Sequence, residues 1–334
     1  MQNEFYYIAT PAYNEAKNIG PFVRSLIPAV RRAKPSYTLL NTYICVNGCT
    51  DNTDNLIKNY IRLYPSLKIK LLHCPKGMNR AISKIISEIP NVNFPVVKID
   101  ADVRVKKDSL LILLGQLSKH PSLQIAGAYP RARDYKGKKL YKRILGKILD
   151  VRSRYPQSQV SVYDVKKFHK VALIDPQPGI PVKFELNSRI YFHGRFYAMR
   201  NKTLWRVPPE RIGDDTYLTL DIYKRFGYNS IRLMYNAVCT YLATTSIKFH
   251  WKVYKRIFCD TYTLFDLPEF KNQKIQELKR LESVKLDWKY IRTLPFTTQI
   301  CFRVYFMIKK FFSFWFHRSP NYHDKLWTYK EKTN

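Results

Sequence analysis

Val96-Val97-Lys98-Ile99-Asp100-Ala101-Asp102 is an apolar run of strand length that ends in two carboxylates one residue apart. Side chains alternate along an extended chain, so residues i and i+2 point the same way. In α/β folds the carboxyl edge of the sheet is where ligands bind. Two oxygen ligands on one side can share a hard divalent cation, which can in turn grip a diphosphate. Solvated turns also contain Asp-x-Asp, so the meaning of this pair depends on its surroundings.

Upstream of it, strand and helix signals alternate. Phe5 to Ala9 reads as a strand, and Glu15 to Arg32 as an amphipathic helix capped by Asn14. Leu39 to Val46, Leu67 to His73 and Phe94 to Ile99 read as further strands, with helices over Asn52 to Tyr64 and Asn79 to Glu88 between them. This alternation predicts βαβ units and a parallel sheet. Pro11, Asn47 and Asp100 then fall at strand ends, where a nucleotide site belongs. Downstream, a helix over Ser109 to Ser118 and a strand over Gln124 to Tyr129 lead into a strongly basic stretch, Pro130 to Arg154.

Composition narrows the partners. Among 334 residues, 58 Lys and Arg face 25 Asp and Glu, a net charge of +33 that favours nucleic acid, acidic lipid headgroups or phosphorylated substrates. The chain is long enough to bury a sizeable core. Six cysteines (Cys45, Cys49, Cys74, Cys239, Cys259 and Cys301) show no zinc-like spacing and lie in or near apolar runs, which predicts free thiols in a reducing compartment. The first residues carry no basic, then apolar, leader pattern, so no secretory signal is expected.

Four blocks in order resemble family-2 glycosyltransferases of the GT-A fold. Thr10-Pro11-Ala12-Tyr13-Asn14-Glu15 is like that family's P-x-Y-N-E opening, and Val46-Asn47-Gly48-Cys49-Thr50-Asp51-Asn52-Thr53 like its D-G-S-T-D-x-T turn. Asp100-Ala101-Asp102 matches its D-x-D, and Gly213-Asp214-Asp215-Thr216-Tyr217-Leu218 is similar to G-E-D-x-x-L. Lys76-Gly77-Met78-Asn79-Arg80-Ala81 and Phe192 to Arg200 are weaker matches, and the resemblance covers about residues 5 to 260. It implies a Rossmann-like, mixed but mostly parallel sheet flanked by helices, and inverting transfer of one sugar. The donor would be a nucleotide-diphospho-sugar, UDP-sugar favoured, with Mg²⁺ or Mn²⁺.

Carried over residue by residue, Pro11, Tyr13, Glu15, Asn47, Asp51, Lys76 and Asp100 would hold the donor nucleotide. Asp102 would bind the metal, with Asp100 on the ribose or sharing the cation. Asp215 would be the general base, taking the acceptor hydroxyl's proton, with Asp214 raising its basicity by like-charge repulsion. Other readings stand beside these. Glu15 suits a first helical turn, Asp51 suits a helix cap, and the acidic pair suits the start of a helix. Two departures matter: Val46 stands where the family commonly has an acid, and the Q-x-x-R-W of processive members is missing. In place of its arginine, Arg256 in Lys248 to Arg256 is the candidate diphosphate clamp, with a solvated or lipid-facing basic helix as the alternative. The missing motif points to single addition.

From about Thr245 onward the chain is rich in aromatics and Lys/Arg. Thr297 to His317 fits a helix whose stripe of Gln299, Arg303, Lys310, Ser313 and His317 lies among Phe, Tyr and Trp. Its cations disfavour a spanning helix and favour one lying in the interface, basic stripe to the headgroups. Packing on the protein's own core is the alternative. Leu140, Ile144, Leu145, Ile148 and Leu149, interleaved with cations, form a second amphipathic face. The expected organisation is a GT-A domain over 1–245 and a helical, membrane-associating region over 246–334. The expected setting is peripheral, on the cytoplasmic face of the cell membrane, with a lipid-linked or glycan acceptor of the cell envelope and an anionic membrane as partners. No specific nucleic acid is expected. Acceptor recognition is expected between Pro130 and Met199, with His193, Phe196 and Tyr197 as candidates to line the cleft and core packing the favoured reading for at least one of the aromatics. The rival readings are a polyprenyl-phosphate glycosyltransferase and a non-catalytic nucleic-acid-binding or scaffold protein.

Overall fold

The computed structural model describes residues 4–155, 159–161, 192–211, 213–227, 230–265, 267–271, 284–286 and 288–317. These divide into two compact units, one of Met1–Arg131 with Asp164–Tyr241, the other of Ala132–Tyr163 with Leu242–Asn334. The second unit thus joins the chain from Leu242 onward with Ala132–Tyr163, which carries most of the basic stretch.

The first unit is built on an eight-stranded sheet. Its strands are β1 (Glu4–Ala12), β2 (Tyr37–Asn47), β3 (Ile69–Cys74), β4 (Val96–Ile99), β5 (Arg104–Val105), β6 (Ile125–Arg133), β8 (Phe196–Met199) and β9 (Ile231–Leu242). They lie in the order β3-β2-β1-β4-β8-β6-β9-β5. β3, β2, β1 and β4 run parallel, whereas β8 is antiparallel to both β4 and β6. The helices α1 (Ile19–Ala33), α2 (Thr53–Leu63), α3 (Met78–Glu88), α4 (Ser109–Lys119) and α7 (Asp215–Phe226) accompany it. Parallel strands covered on both faces read as continuous apolar runs, and accordingly every residue of β1 from Tyr6 to Ala12 is buried. α1 presents Ile19, Phe22, Val23, Leu26 and Ala29 to this core at helical spacing.

The chain steps outward from β1 to β2 to β3, then returns to β1's other side as β4. Such a reversal opens a crevice at the carboxyl ends of the two central strands. Pro11 and Ala12 close β1 there, and Asp100 follows β4.

β1 and β6 run on to Ala12 and Arg133, past their expected ends at Ala9 and Tyr129, and the start of α1 differs too. α1 starts at Ile19, and Asn14 is not its cap; it sits in the loop with φ +54, a left-handed conformation that Asn tolerates better than most residues. Residues 15–18 form a turn in which the Glu15 carbonyl accepts from the N–H groups of Asn18 and Ile19.

The second unit contains α5 (Leu140–Leu149), α6 (Val151–Arg154), α8 (Ile247–Phe265), α9 (Trp288–Ile291) and α10 (Phe296–His317). It also holds an antiparallel pair, β7 (Gln159–Ser161) with β10 (Val284–Leu286). Val151, Ile291 and Phe302 form its buried centre, with Trp288 and Tyr305 packed on them. Phe312 is also buried, with the Trp251 ring 4.6 Å away. One side of α10 is therefore core. Its exposed stripe runs Phe296, Ile300, Arg303, Met307, Lys310, Phe311, Phe314. Arg303 and Lys310 share that face with exposed aromatics, while Phe302 and Phe312 occupy the core side. Among the described residues no helix is long and apolar enough to cross a membrane.

Candidate active site

The two loops expected to meet the nucleotide are stitched together by hydrogen bonds. Asn14 Oδ1 accepts from the Thr50 N–H at 2.8 Å, the Glu15 N–H donates to Thr53 Oγ1 at 2.8 Å, and the Ala16 N–H donates to Asp51 Oδ2 at 3.0 Å. Asp51 also accepts from the Thr53 N–H and hydroxyl through Oδ1, so both its oxygens are spent on the loops. Buried Asn47 donates to the Ala12 carbonyl at 2.8 Å and accepts from the Gly77 N–H at 3.3 Å, tying β1 to the loop after β3. Gly48 at φ +69 lets that loop approach, since a Cβ there would lie 3.1 Å from the Lys76 backbone nitrogen. Lys76 in turn sits over the exposed Tyr13 ring, 5.0 Å from its centroid. Pro11 is buried within β1.

Glu15 faces this region half-buried. Burial pushes its pKa from 4.5 up to about 7, opposed by the Asn18 amide that donates to Oε2 and reinforced by Asp102, Asp100 and Asp51.

The two acidic motifs meet around Lys98, Gly194 and Arg195. Lys98, 1% exposed in the middle of β4, places Nζ 2.6 Å from Asp100 Oδ1 and 3.3 Å from Asp214 Oδ2, and donates to the Gly194 carbonyl. Burial works against its charge, but the two carboxylates more than compensate and raise its pKa. Burial also pushes the Asp100 pKa up, with Asp102 and Asp214 acting the same way against the pull of Lys98. Asp214 is buried and accepts a 3.1 Å bond from the Tyr197 hydroxyl. Asp215 opens α7 half-buried; its Oδ2 accepts from the Gly194 N–H and its Oδ1 from the Thr216 N–H, both at 2.9 Å. Gly194 is needed for this approach, because a Cβ would lie 2.8 Å from Asp214 Oδ1 and 3.2 Å from Asp215 Oδ2.

Asp102 accepts from Arg195 Nη1 through Oδ2 at 3.1 Å. Its Oδ1 is buried without a hydrogen-bond partner. A buried anionic oxygen without a donor is costly, and a cation relieves it, so Asp102 suits a divalent metal. Asp100, paired with Lys98, suits one less. Among the described residues no three His, Cys, Asp or Glu side chains gather for a metal, so further ligands would have to come from a substrate's oxygens.

Sequence reasoning missed Lys98, Gly194 and Arg195. A lysine inside an apolar strand was the available signal for the first, because a buried ammonium must be paired. Phe196 and Tyr197 are fully buried, so they do not line a cleft. Arg256 lies on α8 in the second unit, and its side chain is outside the described residues. Nearly half of the expected acceptor region, residues 156–158 and 162–191, is outside them as well.

The profile of Glycosyl transferase family 2 matches residues 7–173, half of the 334-residue chain. The chain belongs to glycosyl transferase family 2. Its fold is GT-A: a mannosyltransferase from Pyrobaculum calidifontis, solved in complex with GDP-Man and Mn²⁺, superposes with a TM-score of 0.51 at 15% identity over 79% of this chain. The present chain covers 64% of that mannosyltransferase, less than two thirds of its length. Glucosyl-3-phosphoglycerate synthase from Mycobacterium tuberculosis, solved with Mn²⁺, UDP-glucose and phosphoglyceric acid, matches at 15% identity and TM-score 0.48 over 80% of this chain and 81% of its own. S. aureus TarS 1-349 matches at 17% identity and TM-score 0.45 over 76% and 64%. No curated protein matches the chain in sequence.

Proposed function

We propose that this family-2 glycosyltransferase moves one sugar, hexosyl or N-acetylhexosaminyl, from a nucleoside-diphosphate sugar to an acceptor hydroxyl with inversion, using Mg²⁺ or Mn²⁺. The observation that carries the reading is the convergence of Asp102, with its unpartnered Oδ1, and Asp215 on the Gly194–Arg195 turn. Bound at Asp102, the cation would neutralise charge on the donor's diphosphate. The chain's own groups supply the rest. Two backbone N–H groups fix the Asp215 carboxylate, which takes the acceptor's proton as its oxygen bonds the anomeric carbon and the diphosphate departs with the electron pair. Asp214 is spent on Lys98 and Tyr197, so it positions and does not react. The loops stitched through Asn14 and Asp51, with Tyr13, Glu15, Asn47 and Lys76 beside them, form the nucleoside seat. A UDP-sugar is the favoured donor by family resemblance, and the mannosyltransferase bound to GDP-Man and Mn²⁺ supports a nucleotide sugar with a divalent cation in this fold.

The acceptor is lipid-linked or a glycan at the cytoplasmic face of the membrane, where the protein sits peripherally. Support comes from the exposed stripe of α10, in which Phe296 is 74% and Phe311 59% exposed beside Arg303 and Lys310, on a chain of net charge +33. Aromatics entering the acyl boundary with cations snorkelling to headgroups suit an interfacial helix.

A thermal-shift panel of UDP, GDP, CDP, dTDP and ADP, with and without Mn²⁺, tests the catalytic part, because a ligand bound to the folded state raises its apparent stability. The expected result is a shift with one nucleotide that Mn²⁺ enlarges, the enlargement being abolished by Asp102→Ala. Absence of a shift with every nucleotide overturns it.

A further inference from the structure

Arg195 is pinned beside the acidic motif from both ends. Its backbone carbonyl accepts from the Asp100 N–H at 2.9 Å, and its N–H donates to His193 Nδ1 at 3.4 Å. The guanidinium lies 4.1 Å from the centroid of the Tyr241 ring, which fixes its plane, and Nη1 reaches Asp102 Oδ2. Nε is buried with no partner, and the side chain as a whole keeps 28% of its surface open. A guanidinium has N–H donors on three nitrogens in a fixed fork that matches phosphate oxygens two at a time. Here one nitrogen is spent on Asp102. Lys98, which bonds the other acid, divides its three donors among Asp100, Asp214 and the Gly194 carbonyl.

We propose that Arg195 binds the diphosphate of the donor. Its donors left over from Asp102 take the phosphate oxygens and hold the leaving group as the bond from the anomeric carbon to the diphosphate oxygen breaks and the electron pair passes to that oxygen. This deepens the glycosyltransferase reading and rests on it. It gives the leaving group a cation bonded to Asp102 itself, a role for which sequence reasoning had only Arg256.

The test is calorimetric binding of the nucleoside diphosphate found in the panel and of its monophosphate, with and without Mn²⁺. The proteins are wild type, Arg195→Ala, Arg195→Lys and Asp102→Asn, with Arg195→Ala repeated in the Asp102→Asn background. Thermal melting checks that each is folded. Losing charge-assisted hydrogen bonds to phosphate should weaken the diphosphate about 10- to 100-fold in Arg195→Ala. The monophosphate should lose much less, and Arg195→Lys should fall between. The diphosphate-specific loss should persist in the Asp102→Asn background. Equal losses for the two nucleotides, or no further loss once Asp102 is gone, overturn the proposal and leave Arg195 as a support for Asp102. If the wild type binds no nucleotide at all, the glycosyltransferase reading itself falls and this inference with it.

Discussion

Lys98 Nζ lies 3.3 Å from Asp214 Oδ2, so a strand residue of the first acidic motif and the residue that leads into α7 share a buried ion pair. The same ammonium holds Asp100 and the Gly194 carbonyl. Removing one partner of a buried pair leaves the other charge uncompensated and costs about 3–5 kcal/mol. Lys98→Met, close in volume but without the charge, should lose stability on that scale in urea denaturation. A variant as stable as wild type would mean the pair carries little of the fold.

Gly194→Ala tests the close approach of the Phe192 to Arg200 turn to α7. Its new Cβ must push against Asp214 Oδ1, at 2.8 Å, and Asp215 Oδ2, at 3.2 Å. Overpacking of this kind costs about 1–3 kcal/mol. Because it displaces the carboxylate assigned as base, kcat should fall about 100-fold, the scale of a small misplacement at the reacting groups, with donor KM changed far less. An unchanged kcat would separate this turn from catalysis.

The fold was legible because parallel strands buried on both faces leave long apolar runs that few other arrangements need. β2, β3, β4 and α3 lie within about two residues of their expected limits. The helix start was not, because Asn14 satisfies the cap composition while its side chain bonds Thr50 across the loop, a tertiary contact invisible in local sequence. The placement of Asp100 and Asp102 at a strand end was legible from spacing, and that of Asp214 and Asp215 at the start of a helix came from the family resemblance. Their division of labour was not: it depends on which carboxylate meets Lys98, Tyr197 or Gly194, and Lys98 is 96 residues from Gly194, whose turn leads into the strand that carries Tyr197. The mixed face of α10 was hidden for the same reason, since only packing shows that Phe302 and Phe312 turn inward.

Glu15 gives a pH-dependent stability of unusual sign. Its folded pKa is about 7 against the usual 4.5, so between those values the folded chain holds more protons than the unfolded one. Stability must then fall as pH rises through that window and level off above it. Glu15→Gln removes the penalty. It should be matched with wild type near pH 4 and more stable near pH 8, by about 1–2 kcal/mol once the part open to solvent is discounted. Thermal melts at both pH values measure this, and a constant difference between the two proteins across the range would contradict it.

Asp215→Asn separates hydroxyl from phosphate acceptors. The amide keeps one oxygen to accept from the Gly194 or Thr216 N–H, so the fold and the donor site should hold, with nucleotide affinity within about twofold of wild type. What is lost is the proton acceptor. For a hydroxyl nucleophile this should cost about 100- to 10,000-fold in kcat, measured as donor turnover with membrane extract supplying the acceptor. An acceptor phosphate arrives already ionised and needs no base, so a loss below about tenfold would overturn the hydroxyl assignment and favour transfer to a polyprenyl phosphate.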